Sequence, residues 1–325
     1  MIGKKRVLVI GAGGYLGSRL CHSLHSFGHE VIGSFLSKPA DEKEWGKFIS
    51  QFIFGDIRNK NTAQQIVSSK AQVIIYLISL NHTDSEKNLD YSIDVNVKPV
   101  LNILSSLSNL KSPPQKFIYF STVQVYGNIL HGKIKETQKL KPVNIYGLTH
   151  QLAEEICNFF NKNFNCFNIR LSNSYGQPLF LNENCWQLVI NNIAKSAFEN
   201  KKIILHSDGK VFKDFIHFSE ICSFINSLIK TNSLRQNTFN LTSSKSISLI
   251  DAAIIVQKVY YDKYNFEIPI YLNSNQFFSQ KGKEKIFSNF QFVNNDFVKK
   301  NTWGINSLSE GVGEIFDYLD HNNTN

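Results

Sequence analysis

The chain has 325 residues, with 35 Lys and Arg against 26 Asp and Glu and a net charge of +9 at neutral pH. Its 42% hydrophobic and 19% charged residues supply a substantial core, which excludes extended disorder and fits one large α/β domain or two coupled lobes. Cys21, Cys157, Cys166, Cys185 and Cys222 lie far apart with no CxxC pair, which argues against a disulfide scaffold and a zinc ribbon. The expectation is a cytoplasmic protein with no metal site. The basic residues are dispersed, and Lys4, Lys5 and Arg6 form the tightest run. That pattern suits a small anionic ligand better than nucleic acid. The longest strongly apolar run, 73–80, is far shorter than the ~20 residues of a membrane-spanning helix. Residues 7–10 follow a basic triplet but break at once into glycines, so they read as a first strand rather than a secretory signal.

In chain order, 7–10 is a β-branched strand and 11–17 is rich in glycine. A helix follows to about residue 27 and closes at Gly28. Residues 30–35 and 52–54 read as strands. The 73–80 run has no polar alternation, as a strand buried in a parallel sheet requires. Helical spacing covers 95–107, and apolar strands cover 116–121 and 165–171. Strands alternating with helices predict a Rossmann-type, doubly wound parallel α/β sheet. After about 172 the pattern loosens into helices at 185–199, 219–230 and 249–260, separated by short strands and loops. This reads as a smaller C-terminal substrate-binding lobe. No repeats and no Pro-, Gly- or Ser-rich linker are present.

Gly11, Gly14 and Gly17 sit between the first strand and the first helix. Small residues there let the backbone approach a pyrophosphate, whose charge rests on helix N-terminal amides, so the loop predicts dinucleotide binding. The GxxGxxG spacing resembles the extended short-chain dehydrogenase/reductase family of nucleotide-sugar epimerases, dehydratases and ketoreductases. Further segments match that family in order. They are Gly55-Asp56-Ile57, Asn96-Val97, Ser121-Thr122-Val123-Gln124-Val125-Tyr126-Gly127, Tyr146, Arg170-Leu171-Ser172-Asn173-Ser174-Tyr175-Gly176, Lys213-Asp214-Phe215-Ile216-His217 and Trp303-Gly304. The resemblance spans nearly the whole chain.

The resemblance implies cofactor contacts from Gly11, Gly14, Tyr15, Leu16 and Gly17. It implies others from Ser34 and Lys38 after the second strand, from Asp56 and Ile57, and from Leu77, Ser79, Asn96 and Ser121. It makes Tyr146 the general acid/base, Thr122 (with Ser121 nearby) the partner of the reacting oxygen, and position 150 the ribose contact. Asn173 and Lys213 would touch the nucleotide-sugar phosphates. Lys213 stands where the family has Arg, which keeps the charge but loses bidentate geometry. The implied domains are 1–172 plus about 214–244 for the cofactor, and 173–213 with 245–325 for the substrate. A homodimer is implied by analogy.

Three departures shape the functional expectation. The family places Lys four residues after the catalytic Tyr, one turn along the same helix face, where its charge helps ionise a phenol of ordinary pKa near 10. Here that residue is His150. Three readings stand open: His150 takes the Lys role when protonated, His150 is a weak substitute, or catalysis is lost and the chain is a non-catalytic dinucleotide-binding protein. His131 and Lys141 are lesser candidates for the missing cation. Second, the strand at 30–35 ends without the carboxylate that grips the ribose of NAD. Phe35 stands there, and Ser34, Ser37 and Lys38 suit a 2′-phosphate, so NADP(H) is favoured over NAD. Third, Val123-Gln124 replaces the Asp-Glu pair that 4,6-dehydratases carry after the catalytic Thr. The expectation is an oxidoreductase or epimerase acting on a nucleotide-activated sugar, with a ketoreductase slightly favoured over a 4-epimerase holding NAD.

Overall fold

Seven strands build the main sheet: β1 (Arg6–Ile10), β2 (Glu30–Phe35), β3 (Gln51–Phe54), β4 (Val73–Tyr76), β5 (Lys116–Thr122), β6 (Asn165–Leu171) and β7 (Thr238–Leu241). Their order is β7-β6-β5-β4-β1-β2-β3. The pairings β1–β2, β1–β4, β2–β3, β4–β5 and β5–β6 are parallel. A parallel strand covered on both faces must be apolar throughout, and Val7, Leu8, Val9 and Ile10 are accordingly fully buried. The strand order reverses between β1 and β4. That switch point opens a crevice at the carboxyl ends of the strands, where a dinucleotide sits in doubly wound sheets. The computed structural model describes residues 3–323 apart from 129, 182, 233, 280–287 and 306.

Two expected elements divide differently. The apolar run at 73–80 is strand only to Tyr76, because Leu77 and the residues after it leave the sheet toward the crevice. The helical spacing at 95–107 is two helices, Leu89–Asn96 and Lys98–Ser108. They meet at Val97, and Pro99, which has no amide hydrogen to donate, lies in the first turn of the second.

The chain forms two compact units. The first comprises Met1–Leu130, Glu136–Leu171 and Phe224–Asn240. Its core joins Leu8, Ile10, Ile74, Tyr76, Phe117 and Tyr119 of the sheet to Ile103, Leu104, Ala153 and Cys157 of the flanking helices. The second comprises His131–Lys135, Ser172–Ser223 and Leu241–Asn325. There Phe212–His217 pairs in parallel with Asn173–Tyr175 and antiparallel with Ser246–Ser248. Helices Val189–Asn200, Leu249–Tyr264 and Leu308–Asn323 meet over Ile190, Ile193, Ala253, Val256, Val312 and Phe316. Among the described residues no helix is long and apolar enough to cross a membrane. No group of His, Cys, Asp and Glu there could hold a metal ion.

The helix Ile145–Phe160 of the first unit is fastened to the sheet by a buried ion pair. Arg170 of β6 donates from Nε to Glu154 Oε1 at 3.0 Å and from Nη2 to Oε2 at 2.7 Å. Its Nη1 donates to the Tyr126 hydroxyl and the Glu136 carbonyl, both at 2.9 Å. The Ser121 hydroxyl donates to Glu154 Oε1. Removing one partner strands a buried charge. Arg170→Leu is therefore expected to lower the unfolding free energy by about 3–5 kcal/mol, read from the urea midpoint.

Candidate active site

The glycine loop is shaped by contacts in which a side chain has no room. Gly11 has φ of +90°, and its N–H and that of Ala12 donate to the Ser34 carbonyl at 3.2 and 2.9 Å. A Cβ on Gly17 would lie 2.1 Å from the Gly11 carbonyl oxygen, so the helix Tyr15–Ser26 approaches the strand end only with glycine there. That helix begins at Gly14 with no side-chain cap and no acidic residue in its first turn. Its N-terminal dipole is left for an anion. Leu77 backs the loop, with its Cβ 3.4 Å from where a Gly11 Cβ would be.

The residues expected at the adenosine end are arranged less simply. Phe35 is buried among Trp45, Phe52 and Phe54, with its ring against Gly13. Ser34 is only 2% exposed. Lys38 is exposed and ion-paired with Glu42, the first residue of the short helix Glu42–Trp45. The Asp56 carboxylate receives the Arg58 guanidinium, which holds it below the usual carboxylate range, while Ile57 beside it is buried.

The expected catalytic side chains converge. Tyr146, in the first turn of Ile145–Phe160, has its phenol near the Ser79 and Thr122 hydroxyls. Ser79 follows β4 and Thr122 ends β5, so all three lie at the carboxyl ends of these two neighbouring strands. Burial raises the Tyr146 pKa, and the two hydroxyls partly offset the rise. The Ile145–Phe160 helix is set by Asn144, whose side-chain oxygen accepts from the Gly147 N–H at 2.7 Å. Asn96 steadies it from behind. Its Oδ1 accepts from the Leu80 N–H at 2.7 Å and its Nδ2 donates to Thr149 Oγ1 at 3.0 Å. Ser121 is turned away from Tyr146, with its hydroxyl spent on Glu154.

His150 lies beside Tyr146, with ring centroids 4.5 Å apart and nearly perpendicular. It is 2% exposed, and burial pushes its pKa down to about 3. The imidazole is therefore neutral at physiological pH and supplies no charge to the phenol. Its Nδ1 is 2.8 Å from the Tyr119 hydroxyl, whereas Nε2 is buried with no partner among the described residues. Lys141, a sequence candidate for the missing cation, is exposed on the loop.

An uncapped helix behind a glycine loop and an orphaned ring nitrogen beside the phenol are what a dinucleotide would complete. The pyrophosphate fits the first, and a ribose hydroxyl fits the second. Sequence reasoning missed Tyr119, Glu154 and His82. The first two carry a legible signal: Tyr119 and Ser121 share one face of β5, and Tyr146, His150 and Glu154 share one stripe of a helix. His82 has none. Its ring lies 6.2 Å from that of Tyr146, and Asn144 Nδ2 donates to its Nε2 at 3.2 Å.

In the second unit, Asn173 and Lys213 lie on neighbouring strands. Asn173 Nδ2 donates to the Asp214 carbonyl at 2.9 Å. Burial lowers the Lys213 pKa. Between them the Asp214 carboxylate accepts from the Ser172 and Ser243 hydroxyls and the Ser243 and Lys245 N–H groups.

This arrangement has counterparts in known proteins. UDP-glucose 4-epimerase of Mycoplasma genitalium is 29% identical over 293 residues, covering 82% of this chain and 86% of that one. A putative epimerase from Burkholderia cenocepacia superposes with a TM-score of 0.80 at 17% identity, covering 99% of this chain and all of the other. UDP-glucuronic acid 4-epimerase from Bacillus cereus, in complex with UDP-glucuronic acid and NAD, superposes with a TM-score of 0.76 at 21% identity, covering 97% and 99%. The model of the NAD dependent epimerase/dehydratase family matches residues 7–242, which hold the glycine loop, Thr122, Tyr146 and the buried Glu154–Arg170 pair. By that match, this chain is an enzyme of the NAD dependent epimerase/dehydratase family.

Proposed function

We propose that this enzyme inverts C4 of a nucleotide-activated sugar and works with NAD. The observation that carries the reading is the Tyr146 phenol set against the Ser79 and Thr122 hydroxyls with no carboxylate pair beside it. Elimination of water needs an acid and a base at positions 123 and 124. Val123 is apolar, and the Gln124 side chain is an amide that accepts from Asn144 Nδ2 at 3.0 Å. A proton shuttle with hydride exchange at one carbon remains. The relatives named as 4-epimerases support this over the ketoreductase that the sequence favoured.

The glycine loop and His150 would hold the dinucleotide, which would supply reversible hydride exchange at C4, with inversion requiring that the sugar present its other face before the hydride is returned. Tyr146 takes the proton from the sugar hydroxyl and gives it back to the same oxygen, which Thr122 holds. His150 is a neutral hydrogen-bonding group toward the nicotinamide ribose. Asn173 and Lys213 are the proposed contacts to the sugar nucleotide's phosphates.

NAD, rather than the NADP(H) favoured from sequence, is supported by the solved 4-epimerase that holds NAD and by the burial of Ser34. A 2′-phosphate needs a free cation and exposed hydroxyls. Ser34 is buried and Lys38 already faces Glu42. Ser37, the third candidate for a 2′-phosphate, is exposed. NAD should bind at least about tenfold more tightly than NADP, a gap of about 1.4 kcal/mol, by titration calorimetry on stripped protein. Equal affinities would overturn the assignment.

Incubated with UDP-glucose and NAD, the protein is expected to form the C4 epimer without net reduction of cofactor, detected by chromatography. Tyr146→Phe should lower kcat by about 10²–10⁴-fold, the usual weight of a general acid/base, while NAD still binds. A keto-deoxy product, or consumption of NADPH, would point to a dehydratase or a reductase instead.

The pH profile follows from the charge at position 150. Tyr146 starts protonated, with its pKa above the ordinary phenol value, and its base form grows as pH rises. Turnover should therefore climb from about pH 6 to about pH 9. His150→Lys places a cation one turn from the phenol and should move the rising limb down by about 1–3 pH units. A flat wild-type profile would contradict this account.

A further inference from the structure

Tyr119 lies on β5, is 1% exposed, and directs its hydroxyl to His150 Nδ1 at 2.8 Å. A buried phenol must place its hydrogen on an acceptor. Burial also holds the Tyr119 pKa well above its ordinary value, so the hydrogen is present throughout the physiological range. The neutral imidazole then has one arrangement that satisfies both groups. Nδ1 is the bare acceptor, and Nε2 carries the ring hydrogen. The opposite tautomer would leave two hydrogens facing each other across the 2.8 Å contact, or turn the phenol hydrogen away from His150, its hydrogen-bond partner among the described residues.

The other ring nitrogen has no partner of its own. Nε2 is buried beside Tyr146 without a hydrogen-bond acceptor among the described residues. It is a donor held ready for a group that the protein does not supply. A hydroxyl of the nicotinamide ribose has the right chemistry, because its oxygen accepts where a neutral N–H donates.

We propose that Tyr119 is a positioning residue of this active site: its hydroxyl locks His150 as the Nε2–H tautomer and so aims a neutral donor at the nicotinamide ribose, where other family members use a charged lysine. The proposal rests on the dinucleotide reading of the site, but not on which sugar is turned over. A lysine ammonium donates in any rotamer and needs no such partner. A histidine can donate from either nitrogen, and here Nδ1 is already engaged by Tyr119. The exchange of Lys for His therefore requires a second residue, and Tyr119 is that residue.

The test begins with the unaltered protein stripped of cofactor. In ¹⁵N-histidine-labelled protein, the His150 signals, assigned by their loss in His150→Gln, should show Nδ1 unprotonated and Nε2 protonated. Tyr119→Phe keeps the ring and removes the hydroxyl. It should yield a mixture of tautomers and weaken NAD binding by about tenfold, the worth of one hydrogen bond, read by protein fluorescence. Adding His150→Lys to Tyr119→Phe should restore NAD affinity, because lysine has no tautomer to fix. A wild-type Nδ1–H tautomer would overturn the proposal, as would a folded Tyr119→Phe protein with unchanged NAD affinity. If these NAD effects appear but no UDP-sugar is epimerised, the epimerase assignment fails and the role of Tyr119 stands.

Discussion

The buried pair between Glu154 and Arg170 is the contact on which the site depends. Taking two charges out of water is costly, and a buried ion pair is stable only when its remaining hydrogen-bonding capacity is met. Here it is met. Both Glu154 oxygens accept from the guanidinium, Ser121 adds a third donor, and the free edge of Arg170 reaches Tyr126 and Glu136. The network joins β5, β6 and the helix Ile145–Phe160 at one point. The pose of that helix follows, and with it the places of Tyr146 and His150, two turns and one turn before Glu154.

A second constraint is electrostatic. The helix face that carries the phenol has no cation at position 150, because burial keeps the His150 imidazole neutral. Desolvation acts on Tyr146 and His150 in opposite senses. It raises the phenol and lowers the imidazole, leaving both neutral. Two neutral groups pack side by side at low cost, and each keeps one polar atom for a ligand. The arrangement exchanges permanent charge stabilisation for hydrogen-bond geometry. It therefore places more weight on the order of neighbouring side chains than a lysine would.

Much of this was legible in the residues. Val7 to Ile10 followed by spaced glycines implied a strand, a loop and a helix open to an anion, because few other residues permit that turn. Tyr146 and Thr122 were placed by their motif spacing. Other features were hidden for identifiable reasons. The run 73–80 is almost wholly apolar, yet only its first half is strand, since the half-buried loop after it is nearly as apolar as the sheet beside it. Lys38 read as a free cation because Glu42 reaches it only when the loop between them folds back, which the sequence does not show. Ser34 read as available because its burial depends on the packing of β2.

His150 marks the division most clearly. The sequence by itself determined that a histidine stands in the family's lysine position, and hence that the charge of the site was in question. Its spacing from Tyr146 also determined that the two share a helix face, because the α-helical period is local. Whether the imidazole is charged, and which nitrogen carries its hydrogen, was decided only by tertiary structure. Those properties arise from desolvation and from a hydroxyl 31 residues earlier in the chain. Burial and long-range hydrogen bonds are properties of the packed fold, and no local pattern encodes them.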